Sequence, residues 1–223
     1  MGLHYNFAAD RCRMRVLGSH FANPGGFMKL YITPTSGNAW KVRLLLSMLK
    51  VPFETVVLDT DKKEHKAPDF LKLNPRGQVP VLVDGERVFW DSTACLVYLA
   101  RKHGGEQWLP TDAAGMAEVQ QWLALSNNEL HYGLQWGRGV KIGIRNIGSY
   151  DEYAMYGRNG LAVLEGRLKN NEWLACGRPT IADLACYCYT SVSPEGGFDL
   201  NAHPSVAAWV KRVEALPGWI KRV

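Results

Sequence analysis

The sequence predicts two domains, a small α/β domain at residues 28–105 and an all-helical domain at residues 106–223. Two observations carry this prediction. Up to residue 105, β-rich runs alternate with segments of helical periodicity, and Asp84-Gly85 joins two of the β-rich runs as a tight hairpin turn. After residue 105, apolar residues recur at helical spacing and no strand pattern stands out.

The first 27 residues precede the first predicted strand and lack the continuous apolar core of a signal peptide. They end close to the run Asn23-Pro24-Gly25-Gly26, which breaks regular structure. We therefore interpret residues 1–27 as an N-terminal extension that is not part of the core fold.

The composition is that of a globular protein, with 47% hydrophobic and 21% charged residues among 223. The net charge of +5 is spread along the chain, so we expect no nucleic-acid partner. No apolar run approaches the roughly 18 residues that span a membrane. The odd number and irregular spacing of the cysteines predict no disulfide framework and no metal site, and they suit a reducing cytoplasm. These cysteines are Cys12, Cys95, Cys176, Cys186 and Cys188.

The first domain begins with a βαβ pattern. Strands are predicted at residues 29–33 and 54–58, and an amphipathic helix at residues 36–50 connects them, so the two strands are parallel. One face of this helix carries the apolar residues Val42, Leu45, Leu46 and Leu49.

The rest of the first domain predicts a short helix, a hairpin and a closing helix. The short helix ends before Asn74-Pro75, the hairpin covers residues 79–90, and Asp91 and Ser92 cap a helix that runs to about Lys102. The complete order, βαβαββα, is thioredoxin-like, although periodicity alone also allows another small α/β sheet.

The helical domain is predicted from repeated apolar stripes. Helical spacing marks residues 116–134 and 157–169, and a last helix ends before Pro217. Thr180 and Asp183 have the spacing of a capping box, in which each side chain bonds the other residue's backbone at a helix start.

Three loops carry candidate chemistry, and the first contains Ser36, at the start of the first helix. A hydroxyl there, together with the positive end of the helix dipole, would lower the pKa of a bound thiol from its usual value of about 8.5. Ser36 is thus a candidate to activate a thiol as a nucleophile. The alternative is that it only caps the helix.

The other two loops suit the backbone and the end of a peptide. A cis bond between Val79 and Pro80 would turn the backbone of Val79 outward to pair with an extended peptide, whereas a trans bond would make this an ordinary loop. Asp91 suits an ammonium group and Ser92 a carboxylate, although both also suit a helix cap. Together the three loops fit a short peptide with a central thiol and a free amino-acid end, which describes glutathione.

From Met28 to the end, the chain resembles the cytosolic glutathione transferases, in particular the bacterial, delta, theta and zeta types that use serine. The resemblance rests on LYITPTSGNAWKVRLLL, HKAPDFLKLNPRGQVPVL, FWDSTACLVYLARKHG and GRPTIADLACYCY. It implies a thioredoxin-like domain followed by a helical bundle, usually as a homodimer. Glutathione would be a co-substrate, and no cofactor would be permanently bound.

The resemblance also implies roles for individual residues. Ser36 would be the catalytic residue. The second family histidine is replaced by Gly77, so the glycine carboxylate of glutathione would depend on His65, Lys66 or Gln78. Gly37 and Asn38 stand where some relatives have cysteine, which argues against a mixed-disulfide mechanism and leaves open whether Ser36 or Asn38 contacts the sulfur. The implied glutathione-binding set is Ser36, Asn38, His65, Gln78, Val79, Pro80, Asp91 and Ser92.

The second substrate would lie against the helical domain. The candidate residues are Trp40, Trp122, Asn127, His131, Trp136 and Arg138. The alternative for each tryptophan is a place in the hydrophobic core. The glycine-rich, basic stretch at residues 133–148 interrupts the helical periodicity and is a further candidate for a substrate contact.

The predicted function is transfer of the glutathione thiolate to a small hydrophobic electrophile, a detoxification reaction in the cytoplasm. Two alternatives remain on the same fold: a glutathione-dependent reductase or isomerase, and a non-catalytic binding protein. The sequence does not identify the electrophile.

Overall fold

A four-stranded sheet with strand order β2-β1-β3-β4 forms the centre of the first domain in a computed structural model, which describes residues 27–222. β1 pairs in parallel with β2 and antiparallel with β3, and β3 and β4 form the hairpin. This arrangement confirms the thioredoxin-like prediction. The predicted extension at residues 1–27 lies, except for Phe27, outside the described residues. The strands are β1 (Met28–Ile32), β2 (Phe53–Val57), β3 (Val81–Asp84) and β4 (Arg87–Trp90).

Two helices of this domain begin at the predicted caps. The Ser36 side chain accepts a hydrogen bond from the backbone N–H of Ala39, and the Asp91 side chain accepts one from Thr93. The helices are α1 (Gly37–Met48), α2 (Pro68–Leu73), α3 (Ser92–Leu99) and α4 (Gly105–Trp108), with a π-helical stretch at Ala100–Gly104 between α3 and α4.

The second half of the chain is helical, as predicted. Its helices are α5 (Ala113–Leu125), α6 (Trp136–Lys141), α7 (Tyr150–Leu168), α8 (Ile181–Thr190) and α9 (Pro204–Glu214). A π-helical stretch, Ser126–Gln135, joins α5 to α6 without a break. The expected interruption of the helix at residues 133–148 is therefore partly wrong, since the chain leaves the helix only after Lys141.

Gly133 remains helical because it lies at a close helix–helix contact. A Cβ atom on Gly133 would overlap the backbone nitrogen and Cα of Gly157 in α7. A Cβ on Gly157 would in turn press on the ring of Phe198. The two glycines therefore let the π-helical stretch and α7 pack backbone against backbone.

The side chain of Asp183 links separate segments of the helical domain by hydrogen bonds. The capping box with Thr180 is present, and the buried Asp183 carboxylate also accepts hydrogen bonds from the backbone N–H of Leu174 (3.1 Å) and from the indole of Trp209 (3.0 Å). Burial raises the pKa of Asp183 to about 6, against the opposing effect of these hydrogen bonds. One side chain thus joins the start of α8 to α9.

Candidate functional site

A cavity of about 790 Å³ opens where the sheet domain meets the helical domain. Its walls come from the loop after β1, the loops on either side of α2, the start of α3 and the helical stretch around residue 131. A smaller pocket of about 190 Å³ adjoins it. Both are lined by Asn38, His131, Trp136 and Arg145.

Most of the residues predicted to bind glutathione lie around the large cavity. They are Asn38, His65, Gln78, Val79, Pro80, Asp91 and Ser92. Ser36 differs, because it lines only the smaller pocket. Its Oγ lies 3.2 Å from the backbone nitrogen of Ala39 and accepts that hydrogen bond, so the hydroxyl is the N-cap of α1.

The side chain of Asn38, in the first turn of α1, is held by two hydroxyl groups. Its Oδ1 accepts hydrogen bonds from Ser92 Oγ at 2.8 Å and from Tyr189 Oη at 2.5 Å. Because an amide oxygen accepts and an amide nitrogen donates, these two bonds fix the orientation of the Asn38 amide. Its Nδ2 has no hydrogen-bond partner among residues 27–222 and is the donor left for the cavity.

His131 supports the same network from the helical domain. Its Nδ1 lies 2.8 Å from the Tyr189 hydroxyl, and since that hydroxyl donates to Asn38, the histidine nitrogen acts as the donor to Tyr189. Burial, with smaller effects from the charges of Lys41 and Arg145, lowers the pKa of His131 to about 4. The imidazole is therefore neutral around pH 7, and its hydrogen bond with Tyr189 does not change with pH in that range.

Asp91 stands at the start of α3 with a positive φ of 75°. Its Oδ1 accepts from the backbone N–H of Thr93 at 2.9 Å, and its Oδ2 faces Arg76 at 3.5 Å. Burial favours a higher pKa, but the hydrogen bonds from Thr93 and Ala94 and the charge of Lys41 hold the pKa of Asp91 below its ordinary value. Asp91 is thus a carboxylate that faces the cavity.

The Ser92 hydroxyl is already engaged with Asn38, so it is not free to donate to a carboxylate as the sequence suggested. The side chain is 1% exposed, which keeps it in that contact. A carboxylate at this end of the cavity would meet the N-terminus of α3 instead, where backbone N–H groups and the helix dipole favour an anion.

The loop before β3 presents Val79 to the cavity, and the Val79–Pro80 bond is cis, as predicted. The loop is held from inside, because Lys66 Nζ donates to the carbonyl of Gly77 at 2.9 Å. Gly77 has a φ of +57°, and a Cβ there would collide with the Lys66 side chain, which accounts for glycine at this position. Nearby, His65 Nδ1 is buried without a hydrogen-bond partner among the described residues.

Three of the predicted second-substrate residues lie elsewhere. Trp40 is 4% exposed, and its indole donates to the carbonyl of Ile220 at 3.0 Å. Trp122 packs against the hydrophobic core and lines neither pocket. Arg138 is buried in an ion pair with Glu195. These predictions were wrong because helical spacing does not distinguish a tryptophan or arginine that faces the core from one that faces a cavity.

Asn127, His131 and Trp136 do line the large cavity. The sequence reasoning missed Tyr132 and Arg145, which also line it. The Arg145 guanidinium lies 3.5 Å from the centre of the Trp136 ring. Arg145 belongs to the glycine-rich stretch in which a substrate contact was anticipated.

Within residues 27–222, no helix is long and apolar enough to cross a membrane. The same residues contain no group of three or more His, Cys, Asp or Glu side chains that could hold a metal ion. The cysteines described, which are Cys95, Cys176, Cys186 and Cys188, are free thiols.

Comparison with known proteins assigns the family. Residues 27–101 match the model of the glutathione S-transferase N-terminal domain, and residues 155–217 match that of the C-terminal domain. The chain is 32% identical to glutathione S-transferase 3 of Zea mays over 207 residues, which are 88% of this chain and 93% of the relative.

Solved structures agree with this assignment. A possible glutathione S-transferase from Rhodopseudomonas palustris superposes with a TM-score of 0.79 and 36% identity, covering 88% of this chain and 97% of the other. Ure2p in complex with glutathione has a TM-score of 0.79 and 25% identity, covering 90% and 100%. The chain therefore belongs to the glutathione S-transferase family.

Proposed function

We propose that the chain binds glutathione in the large cavity and transfers its sulfur to a small hydrophobic electrophile. The charges and donors along the cavity support this ligand. Asp91 would pair with the γ-glutamyl ammonium group, while the start of α3 receives the adjacent carboxylate. The backbone of Val79 would pair with the cysteinyl residue as an added strand. The glycine carboxylate would lie towards His65 and Gln78.

The donor to the sulfur is Asn38 in this proposal, and Ser36 keeps its role as helix cap. The observation that carries the proposal is the orientation of the Asn38 amide, whose Oδ1 is occupied by Ser92 and Tyr189. The Nδ2 hydrogens are therefore available to a thiolate, which accepts but does not donate. The N-terminus of α1, which begins at Gly37, adds its dipole at the same place.

The reaction follows from this arrangement. The bound thiol loses its proton to solvent, because a donor and a helix dipole stabilise the thiolate more than the thiol. The sulfur then attacks an electrophilic carbon, a C–S bond forms, and the leaving group departs with the bonding electrons. The aromatic side chains of His131, Tyr132 and Trp136 form a wall of the cavity on the helical side, which suits an apolar or aromatic electrophile.

Calorimetry and a conjugation assay test this function together. Glutathione and S-methylglutathione should both bind, because the peptide contacts do not involve the thiol proton. Only glutathione should bind more tightly as the pH rises through the thiol pKa, and chlorodinitrobenzene should be conjugated. Failure of either peptide to bind would refute the assignment. Binding without conjugation would point to the non-catalytic alternative, and turnover of hydroxyethyl disulfide alone would point to the reductase.

The proposal extends to assembly and location. The family resemblance supports a homodimer, and the free thiols of the described cysteines support a reducing cytoplasm in which the protein removes reactive electrophiles. Sedimentation at the concentrations used for assays tests the first point. A monomer of 25.0 kDa with full activity would contradict the homodimer.

A further inference from the structure

Lys41, one turn after Asn38 in α1, is completely buried. Its Nζ donates to the hydroxyl of Ser126 at 3.0 Å and lies 4.0 Å from the centre of the Tyr189 ring. The Ser126 hydroxyl in turn donates a hydrogen bond to the carbonyl of Ala185. The ammonium group is therefore enclosed between the first helix and the helical domain, directly behind the network that holds Asn38.

The positive charge of Lys41 has no carboxylate partner in the part of the chain that the structure describes. Among residues 27–222, none lies within 4.0 Å of its Nζ. Burial lowers the pKa of Lys41 to about 8, so the group is still mainly protonated near neutral pH. A buried charge without a partner destabilises a protein, and residues that carry one usually serve a function.

We propose that Lys41 is a positioning residue whose buried charge favours the glutathione thiolate, acting through the Tyr189 ring and the Asn38 amide. The proposal rests on the proposed function, in which Asn38 faces the sulfur. In that function the bound thiolate is the anion that the ammonium group lacks among the described residues. The stability lost by burying the charge would be recovered in part when the thiolate is bound.

The contacts from Lys41 through Tyr189 to Asn38 explain how the ammonium charge would act on the bound sulfur. A cation over the ring of Tyr189 withdraws electron density and makes its hydroxyl a stronger donor. That hydroxyl donates to Asn38 Oδ1, and polarising an amide at its oxygen makes its nitrogen a stronger donor. Each bond in the chain from Lys41 to the cavity is therefore strengthened by the ammonium charge.

The other ionisable groups around Lys41 do not cancel this charge. Cys186 and Cys188, on α8, have pKa values that burial raises far above neutral, so both are uncharged thiols. His131 is neutral because its pKa is lowered. Among the described residues, Asp91 is an anion whose charge acts on Lys41, but it lies outside ion-pairing distance, and its Oδ1 accepts hydrogen bonds from Thr93.

Lys41→Met tests the proposal, because methionine fills a similar volume without the charge. The thiol pKa of bound glutathione, measured by the ultraviolet absorbance of the thiolate, should rise by about one unit. The pH profile of kcat/KM should move by the same amount. The melting temperature of the free protein should rise, since an unpaired buried charge has been removed. The exposed Lys72→Met is the matched control and should change none of these quantities.

A purely structural role for Lys41 predicts the opposite pattern, namely a lower melting temperature and an unchanged thiol pKa in Lys41→Met. That result would overturn the proposal. If Lys41→Met does not fold, Ser126→Ala replaces it. Loss of the Ser126 oxygen makes the ammonium form less favourable, so the thiol pKa should rise in the same direction by a smaller amount. No rise in Ser126→Ala would overturn the proposal equally.

Tyr189→Phe separates the chain of contacts from a direct effect of the charge. This variant keeps the ring beside Lys41 but removes the hydroxyl that reaches Asn38. If the contacts carry the effect, Lys41→Met should raise the thiol pKa less in the Tyr189→Phe background than in the parent. Equal effects in the two backgrounds would contradict the route through Tyr189.

The parent protein distinguishes failure of this proposal from failure of the proposed function. If the parent does not bind glutathione, or binds it with the thiol pKa of free glutathione, the proposed function is wrong. If the parent lowers the thiol pKa and Lys41→Met leaves that lowering intact, only the role of Lys41 is wrong.

Discussion

The hydroxyl of Tyr189 donates to the side-chain oxygen of Asn38 across 2.5 Å, although the two residues are 151 positions apart in the sequence. Asn38 belongs to the first helix of the sheet domain, and Tyr189 to α8, which is buried along its whole length. The proposed thiolate donor is thus oriented in part by the other domain. Glutathione activation should accordingly depend on residues of the helical domain that never contact glutathione.

Asn38→Ala should lower kcat/KM for conjugation by about a hundredfold, because it removes a donor aimed at the developing thiolate. Ser36→Ala is the matched comparison. It should cost about 1 kcal/mol of stability, as the loss of an N-cap does, with a much smaller loss of rate. Steady-state kinetics and urea denaturation of both variants measure this. A larger rate loss in Ser36→Ala would restore Ser36 as the thiolate donor.

Asp91→Asn should weaken glutathione binding by about 1.5–3 kcal/mol, because the amide keeps the helix cap but loses the charge that pairs with the γ-glutamyl ammonium group. Calorimetry measures the loss, and circular dichroism should show an unchanged fold. Asp69→Asn, at an exposed ion pair with Lys72, is the control and should bind as the parent does. Unchanged affinity in Asp91→Asn would mean that the γ-glutamyl end lies elsewhere.

The stability of the parent should rise relative to that of Lys41→Met as the pH increases from about 8 to 10.5. In this window the unfolded chain still holds the lysine proton while the folded protein has released it, so the penalty for burying the charge disappears. The penalty near neutral pH is at most about 3 kcal/mol. Urea denaturation of both proteins across this window measures the difference. Parallel stability curves would show that Lys41 has an ordinary pKa.

Asp183→Ala should destabilise the protein by about 3 kcal/mol or more, because it leaves buried N–H groups of Leu174, Thr180 and Trp209 without an acceptor. Asp112→Ala removes an exposed cap, that of α5, and should cost only about 1 kcal/mol. Chemical denaturation of the two variants compares them. Equal losses of stability would show that the hydrogen bonds from Leu174 and Trp209 to Asp183 contribute nothing beyond the helix cap.

The order of the elements could be predicted from the sequence because each has a local signal. The Asp84-Gly85 turn and the caps at Ser36 and Asp91 mark their elements within one or two residues. Strand ends moved by one residue, as at β1, where the prediction began at Lys29 and the strand begins at Met28. Such shifts depend on pairing with neighbouring strands, which no local pattern contains.

The network behind the site could not be predicted, because it joins residues that are distant in the sequence. Tyr189 lies in a run of apolar residues that suggests core, and only its hydroxyl partner reveals a different role. Lys41 is a charged residue in an amphipathic helix, a pattern that normally indicates the solvent face. The prediction for Trp40 was wrong in the opposite direction, since this large aromatic residue is itself buried and its indole donates to the backbone carbonyl of Ile220.

The contact between Gly133 and Gly157 limits how this site can change during evolution. Gly133 lies in the same π-helical stretch as His131 and Tyr132, so the aromatic wall is fixed to α7 by a contact that admits no side chain. New substrates would therefore be accommodated with little movement of that wall. In the loop after α6, which carries Arg145, an added Cβ at Gly143 would meet no neighbouring atom, and glycine is favoured there only by its own φ of +77°. Divergence in substrate preference should accumulate in that loop, while the wall beside it stays constant.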